Sequence, residues 1–412
     1  MSTSETVNSL QQPAKTLRPE SPYFRVFNPS HYQALREALA QNQFQALEGN
    51  PWPTALLGTE GQAQLIPAAL DPQGGVAPEE QGAWSHLMWC QREQLSDLTV
   101  DVLDTLGAIW LQTATSPNDD AIADLDALLA IRGLKPRTGR SGETRGFRTQ
   151  QRLEIFQSLV QIQNLWLTLG QFETIETTPR GRKKRKIQAI QSRAFVITDR
   201  LGQLRLDGCI DVEKFVFRPG KVFGQFLFGP GRQTALLSAR ALSYDPYREA
   251  WEKRLTRYLS WHWKANTKQS NHRYLVSTLL GAVDPKLNPR LQTNRSRLDR
   301  ALDKLQTDQV IDSWSYADSS DQSEVHVSPP TNPKSDSFTI LAAASATLPE
   351  QFRLLGVEIR KRRNKLKLPQ SSLAQQLEVT QAYLSMIENG KINPSQLSPV
   401  LRARIYKWMA DS

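Results

Sequence analysis

Leu368 to Ser395 reads LPQSSLAQQLEVTQAYLSMIENGKINPS. Leu373, Ala374 and Leu377 recur at helical spacing, and Pro369 fits the start of a helix, where a missing N–H costs nothing. The chain then turns at Glu378 and Val379. Thr380 has the hydroxyl of an N-cap, and Gly390 stops the next helix as a C-terminal glycine does. Val379, Leu384 and Ile387 face inward. Gln381, Ala382, Tyr383 and Ser385 are left directed away from the core. Two short helices crossing steeply must approach closely, and Ala374 is small enough to allow it. The pattern predicts a helix-turn-helix whose second helix offers amides and hydroxyls to base edges and an alanine methyl to thymine.

Upstream, a helix over about Gln351–Lys365 turns Leu355 and Ile359 inward and is densely basic from Arg360 to Lys367. The residues Gln370, Leu373, Ala374, Leu377, Val379, Tyr383, Leu384, Ser385, Ile387, Glu388, Gly390, Lys391, Pro394 and Ser395 resemble the lambda-repressor-like family of Cro and xenobiotic-response-element-type regulators. The likeness covers about 355–395. It implies that Gln370 contacts the DNA backbone and that Gln381, Ala382, Tyr383 and Ser385 face the groove. Arg360, Arg363, Thr380 and Lys391 join them as candidate DNA contacts. One departure stands out. The family usually has glycine at the turn, where this chain has Glu378. A side chain in a left-handed turn costs roughly 1 kcal/mol, so the turn is expected to be reshaped there.

The chain has 412 residues, 51 Lys and Arg against 41 Asp and Glu, and a net charge of +10. That length predicts two or three domains, and that charge predicts a polyanionic partner. Apolar stripes place helices at Leu98–Trp110, over AIADLDALLAIRGL (121–134), and from Gln150 to Leu169, where Ile155, Leu159, Ile162, Trp166 and Leu169 recur. FETIETT and RAFVIT enclose RGRKKRK, Arg180–Lys186, with six basic residues in seven. Three helices and then a hairpin is the order of a winged helix. Arg180, Arg182, Lys183, Lys184, Arg185 and Lys186 then form a wing tip suited to phosphates or the minor groove. A second basic run, Arg132, Lys135, Arg137, Arg140, Arg145, Arg148 and Arg152, faces a single acid, Glu143. Helices around YREAWEKRLTRYLSWHWK, RYLVSTLLGAV and NRSRLDRALDKLQ, followed by VIDSWSY, repeat the winged-helix order.

Through LTVDVLDTLGAIWL and RLDRALDKLQTDQVIDSWSY this tandem arrangement resembles plasmid replication initiators. The resemblance implies binding to repeated origin sites, melting of nearby duplex and recruitment of host replication proteins. The expected fold is mainly α with small β-hairpins, an α+β mix. It runs as a disordered tail (1–20), a partly helical region (21–94), two winged-helix-like domains (95–235 and 236–316), a flexible linker (317–349) and the helix-turn-helix domain (350–412). Expected partners are double-stranded DNA and a second copy of the chain as a dimer, with no membrane.

Other chemistry finds little support. Cys90 and Cys209 are far apart, and the five histidines are scattered, so no metal ligand set or cofactor is expected. No Walker, HExxH or nucleophile-elbow pattern occurs. Asp119, Asp120, Asp124 and Asp126 invite a two-metal reading, but acids at the start of a helix also favour its dipole. The polar N-terminus is not a signal peptide. A non-enzymatic, cytoplasmic, nucleoid-associated protein is the expectation: a transcriptional regulator or, alternatively, a replication initiator, with a nucleic-acid-processing enzyme as a weaker third reading.

Overall fold

The computed structural model describes residues 23–58, 61–70, 78–138, 146–177, 183–204, 210–228, 233–266, 272–284, 287–318, 323–330, 359–366 and 368–388, together with Leu401, Arg404, Ile405 and Trp408. The chain divides into two units, 1–340 and 341–412.

The first unit opens with β1 (Tyr23–Phe27), α1 (Ser30–Ala40) and an antiparallel meander of β2 (Gln45–Leu47), β3 (Asn50–Leu56) and β4 (Gly61–Leu65). α1 is one of the helices of the partly helical region 21–94, and Asn42, with φ of 51°, follows its end. The strands of the region 21–94 escape the sequence because Pro51 and Pro53 break the signal of β3. After α2 (Pro78–Glu93) comes α3 (Asp97–Thr113), capped by the Ser96 hydroxyl, which accepts from Leu98 N at 3.3 Å. Asp97 and residues 99–110 of α3 are buried, and Leu98 is half-buried. A Cβ on Gly107 would stand 2.9 Å from the Phe27 ring, so only glycine lets β1 pack this closely.

The chain continues through β5 (Ala121–Asp124), α4 (Leu125–Ile131), α5 (Thr149–Gln163), β6 (Leu165–Thr177), β7 (Lys183–Arg193), β8 (Phe195–Leu204) and β9 (Ile210–Pro219). Then follow α6 (Lys221–Phe228), β10 (Thr234–Ser238), α7 (Arg240–Ser243), α8 (Ala250–Ala265), β11 (Arg273–Leu275), α9 (Val276–Val283), α10 (Leu291–Thr307), β12 (Ser313–Tyr316) and β13 (Glu324–Ser328).

One topology occurs twice. In α3, β5, α4, α5, β8, β9 the strands form a sheet of order β5-β9-β8. In α8, β11, α9, α10, β12, β13 they form β11-β13-β12. Each is helix, strand, helix, helix and a hairpin, with the last strand central: the winged-helix arrangement.

Several expectations change. Residues 121–124 are a strand, because Asp124 starts α4 only after it, its carboxylate accepting from Asp126 N at 2.8 Å and Ala127 N at 3.2 Å. The third helix ends at Gln163, and Trp166 and Leu169 lie on β6, where the register with β4 sets Leu169 against Gly61. The hairpin carrying the basic run is not a wing. β6 and β7 belong to a separate five-stranded sheet, β2-β3-β4-β6-β7, inserted ahead of the true wing β8–β9. Residues 324–328, read as linker, supply β13, the central strand of the second winged unit, with Val325 and Val327 buried.

A buried ionic cluster joins the two winged units. Asp97, Asp101 and Asp104 line one face of α3 at i, i+4 and i+7. Lys253 on α8 donates to both Asp101 oxygens at 2.9 and 3.0 Å, and Arg257 Nε donates to Asp104 at 2.9 Å. Arg254 reaches Asp97 at 2.8 Å, Arg132 reaches Asp101 at 3.2 Å, and Arg36 of α1 reaches Asp104 at 2.8 Å. Five cations therefore meet three carboxylates. The excess is met by helix ends: Lys253 Nζ donates to Ala241 O of α7 at 2.6 Å, and Arg254 donates to Val283 O of α9 and Ala40 O of α1. Carbonyls at helix C-termini carry the negative pole that suits a cation. Burial draws the Lys253 ammonium down to about 8 against the pull of Asp101. Burial pushes the Asp104 carboxyl up, and Arg36 and Arg257 more than reverse it, leaving it below its ordinary range.

In the second unit, helical residues 359–365 precede helices Gln370–Gln376 and Gln381–Glu388. Ile359, Leu373, Ala374, Leu377, Leu384, Ile387, Leu401 and Ile405 form its core. The start of the upstream helix, 351–358, lies outside the described residues.

Candidate nucleic-acid interface

The turn of the second unit is set by backbone hydrogen bonds. Glu378 N donates to Gln375 O at 3.1 Å and Val379 N to Ala374 O at 2.9 Å. Glu378 takes φ of 55°, the left-handed conformation that suits glycine. The reshaping expected there does not occur. The turn keeps its left-handed residue, and Arg404 meets the Glu378 carboxylate at 2.6 Å. Thr380 caps the next helix, its hydroxyl accepting from Tyr383 N at 3.2 Å.

That helix presents Gln381 exposed and Ser385 half-buried, with the Ala382 backbone between them. Tyr383 differs from expectation. It is half-buried and packs against the core, as Val379 does. The helix ends on a buried carboxylate. Glu388 is 3% exposed and accepts from Arg363 Nε at 2.7 Å, Arg363 Nη2 at 3.2 Å and Gln370 Nε2 at 3.0 Å. Arg360 Nε stands 3.8 Å away. Three predicted contact residues thus converge on one buried acid. The signal was present: Glu388 follows Ile387 and lies four residues after Leu384, on the inward face. Lys391 lies outside the described residues.

In the first unit, Arg180 and Arg182 lie outside the described residues. Lys183 to Lys186 continue β7 and pair by backbone with Thr177, Glu176, Ile175 and Thr174 in turn. β4 accompanies β6 only over Leu165–Leu169, so beyond the irregularity at Leu169/Phe172 the β6–β7 ribbon runs without β4 beside it. Of the other basic run, Arg132 is spent on Asp101, and Arg152 forms a two-bonded pair with Asp126, Nε to Oδ1 at 2.6 Å. Arg148, Lys135 and Arg137 are exposed. Asp124 and Asp126 are therefore occupied as a cap and an ion-pair partner. Among the described residues, no group of three or more His, Cys, Asp or Glu is placed to hold a metal. His262 sits in an aromatic cluster, its Nδ1 3.0 Å from the Tyr274 hydroxyl. Among the described residues no helix is long and apolar enough to cross a membrane.

A family model described as helix-turn-helix matches residues 359–397. The C-terminal unit carries a helix-turn-helix. The match falls on the left-handed turn, the Thr380 cap and the Glu388 cluster. Two solved structures of domains 2 and 3 of RctB are similar to a longer part of the chain. One shares 10% identity and covers 72% of this chain and 99% of its own, with a TM-score of 0.39. The other shares 12% identity and covers 64% of this chain and 82% of its own, with a TM-score of 0.34. No curated protein matches.

Proposed function

We propose that the chain is a sequence-specific DNA-binding protein that acts by binding rather than catalysis, with the C-terminal helix-turn-helix as its reading head. The observation that carries this is the turn itself. Glu378 holds a conformation costing roughly 1 kcal/mol for a residue with a Cβ, and the result is a second helix whose first residue, Gln381, is exposed. Gln381 is suited to adenine, and Ala382 and Ser385 to neighbouring base edges. Tyr383 lies at the border of groove and core, and Arg360, Arg363 and Gln370 brace the helix through Glu388.

Control of transcription is the reading this head supports first. A second reading, initiation of replication at repeated sites with host replication proteins recruited there, is favoured by the doubled winged-helix topology of the first unit. Both place the protein on double-stranded DNA. Replication of a plasmid carrying the candidate origin, supplied with the chain in trans, separates them. Maintenance of the plasmid selects the initiator, and loss of the plasmid with retained site binding selects the regulator.

A further inference from the structure

A groove opens in the first unit where the two-stranded sheet of β1 and β10 meets the end of α8 and the segment that follows β13. Its volume is about 470 Å³. Tyr23 and Arg25 line it from β1, and Leu236, the cross-strand partner of Arg25, lines it from β10. Ser260, Trp263 and Lys264 enter from the last turns of α8, and Pro329 and Pro330 close the side beyond β13. β1 packs on α3 and β10 packs on α8, so this sheet bridges the two winged units. The walls are fixed by bonds of their own. The Tyr23 hydroxyl donates to Gln309 O at 3.2 Å, and the Ser260 hydroxyl donates to Leu236 O at 2.5 Å. α8 is itself held to α3 by the ionic interlock of Lys253, Arg254 and Arg257 with Asp97, Asp101 and Asp104. A groove held this way is preformed, so an incoming ligand has little of the protein to order.

Its chemistry is divided. The inner wall is aromatic and aliphatic, and the rim carries two exposed cations, Arg25 and Lys264. Among the described residues no carboxylate lines the groove, and neither cation has an ion-pair or side-chain hydrogen-bond partner. Arg36, Arg152, Arg254 and Arg257, by contrast, each meet an aspartate. An apolar patch with a polar rim marks a docking site, and tryptophan and arginine dominate the binding energy of such sites. Two unpaired cations at the rim select a partner that carries carboxylates. Single-stranded DNA fits less well. Its sites track the backbone with a run of cations and offer successive aromatic faces for stacking. Here two cations line the groove, and Tyr23 is buried with its hydroxyl engaged, which leaves Trp263 as the half-exposed ring.

We propose that this groove docks a short acidic segment of a partner protein. An aromatic or bulky aliphatic side chain of that segment enters between Leu236, Trp263 and Pro329, while flanking carboxylates meet Arg25 and Lys264. The inference goes beyond DNA binding and does not depend on it: it gives the first unit a protein-directed surface at the seam of its two winged units.

The test pans a displayed library of random peptides, about 12 residues long, on the full chain. The enriched peptide is then made with a fluorescein label and titrated by anisotropy. The expected result is enrichment of peptides that set two or more acids beside an aromatic or bulky aliphatic residue. Arg25→Glu with Lys264→Glu should weaken the enriched peptide by about tenfold or more, since like charges then face each other. Both residues are exposed, so circular dichroism melting should stay close to that of the parent chain. Replacing the peptide's own apolar residue with serine should weaken it similarly, with the protein untouched. Enrichment of no peptide, or of peptides without acids, would overturn the proposal. So would affinity kept within about threefold by the charge-reversed chain, which would put the peptide elsewhere on a basic surface. A short oligothymidylate that displaces the peptide, and that loses its own binding with the same charge reversal, would assign the groove to single-stranded DNA instead and overturn the proposal as well.

Discussion

Asp101→Asn removes one charge from the centre of the interlock while keeping its shape. The side chain is fully buried and accepts from Lys253 at 2.9 and 3.0 Å, from Arg257 and from Arg132 at 3.2 Å. Five cations would then face two carboxylates, and the new amide would point a donor at an ammonium or a guanidinium. Removing one partner of a buried pair costs about 3–5 kcal/mol, most of it the price of the charge left behind. The pH dependence follows from Lys253. Its folded value, about 8, lies below its ordinary 10.5. The unfolded chain thus binds more protons between those values, and stability rises with pH across that window. In the variant the ammonium has lost its main counter-charge and discharges at lower pH. The deficit should therefore be largest near pH 7 and shrink toward pH 9. Urea unfolding followed by tryptophan fluorescence measures this, because nine of the ten tryptophans lie before residue 341. The midpoint should fall with the slope unchanged. A loss below about 1 kcal/mol at pH 7 would refute the claim that the cluster holds the two winged units together.

Further tests address the other features. Glu378→Gly should leave the stability of the helix-turn-helix within about 1 kcal/mol of the parent or slightly raise it, since relief of the left-handed strain outweighs a solvent-exposed pair with Arg404. Glu378→Ala keeps the strain and loses the pair, so it should melt lower than the glycine variant in calorimetry. His262 and His272 are both held below the ordinary 6.5 by burial, and His262 also by facing His272. The unfolded chain takes up protons first, so stability is full above pH 6.5 and is lost as pH falls toward the folded values; thermal melts at pH 7.5 and 5.5 should show the drop. Neutralising Lys183, Lys184 and Arg185 together should reduce the slope of log affinity against log salt by up to about 3 if the ribbon lies on phosphates. An unchanged slope would remove the ribbon from the interface.

The helix-turn-helix was legible because its signals are local. Proline, the Thr380 cap, apolar spacing and the turn all fall within two helices, so short-range pattern and structure coincide. The winged order was legible as a succession of elements but misassigned in detail. The basic hairpin follows α5 directly and takes the place a wing would occupy, yet β6 pairs with β4, a strand about a hundred residues earlier. Such pairing leaves no mark in periodicity. β13 hides in a segment rich in Ser, Asp and Pro, where only Val325 and Val327 announce a buried face. The interlock left a partial trace: three acids at i, i+4 and i+7 beside the apolar stripe of α3, and Lys253, Arg254 and Arg257 clustered on α8. What was missing was the knowledge that these two helices meet. At the reading head, Glu388 turned Arg363 and Gln370 inward, which a residue-by-residue likeness to a family cannot reveal.

The most direct test of the central claim is selection from a random duplex pool by the full chain and by the Gln381→Ala, Tyr383→Ala chain, followed by affinity measurement on the enriched site. The account predicts that the parent chain enriches a sequence element that the substituted chain no longer prefers, with binding to that element weakened by about tenfold or more, as loss of 1–3 kcal/mol of base discrimination requires. Enrichment of the same complete site with the same affinity by both chains would contradict it.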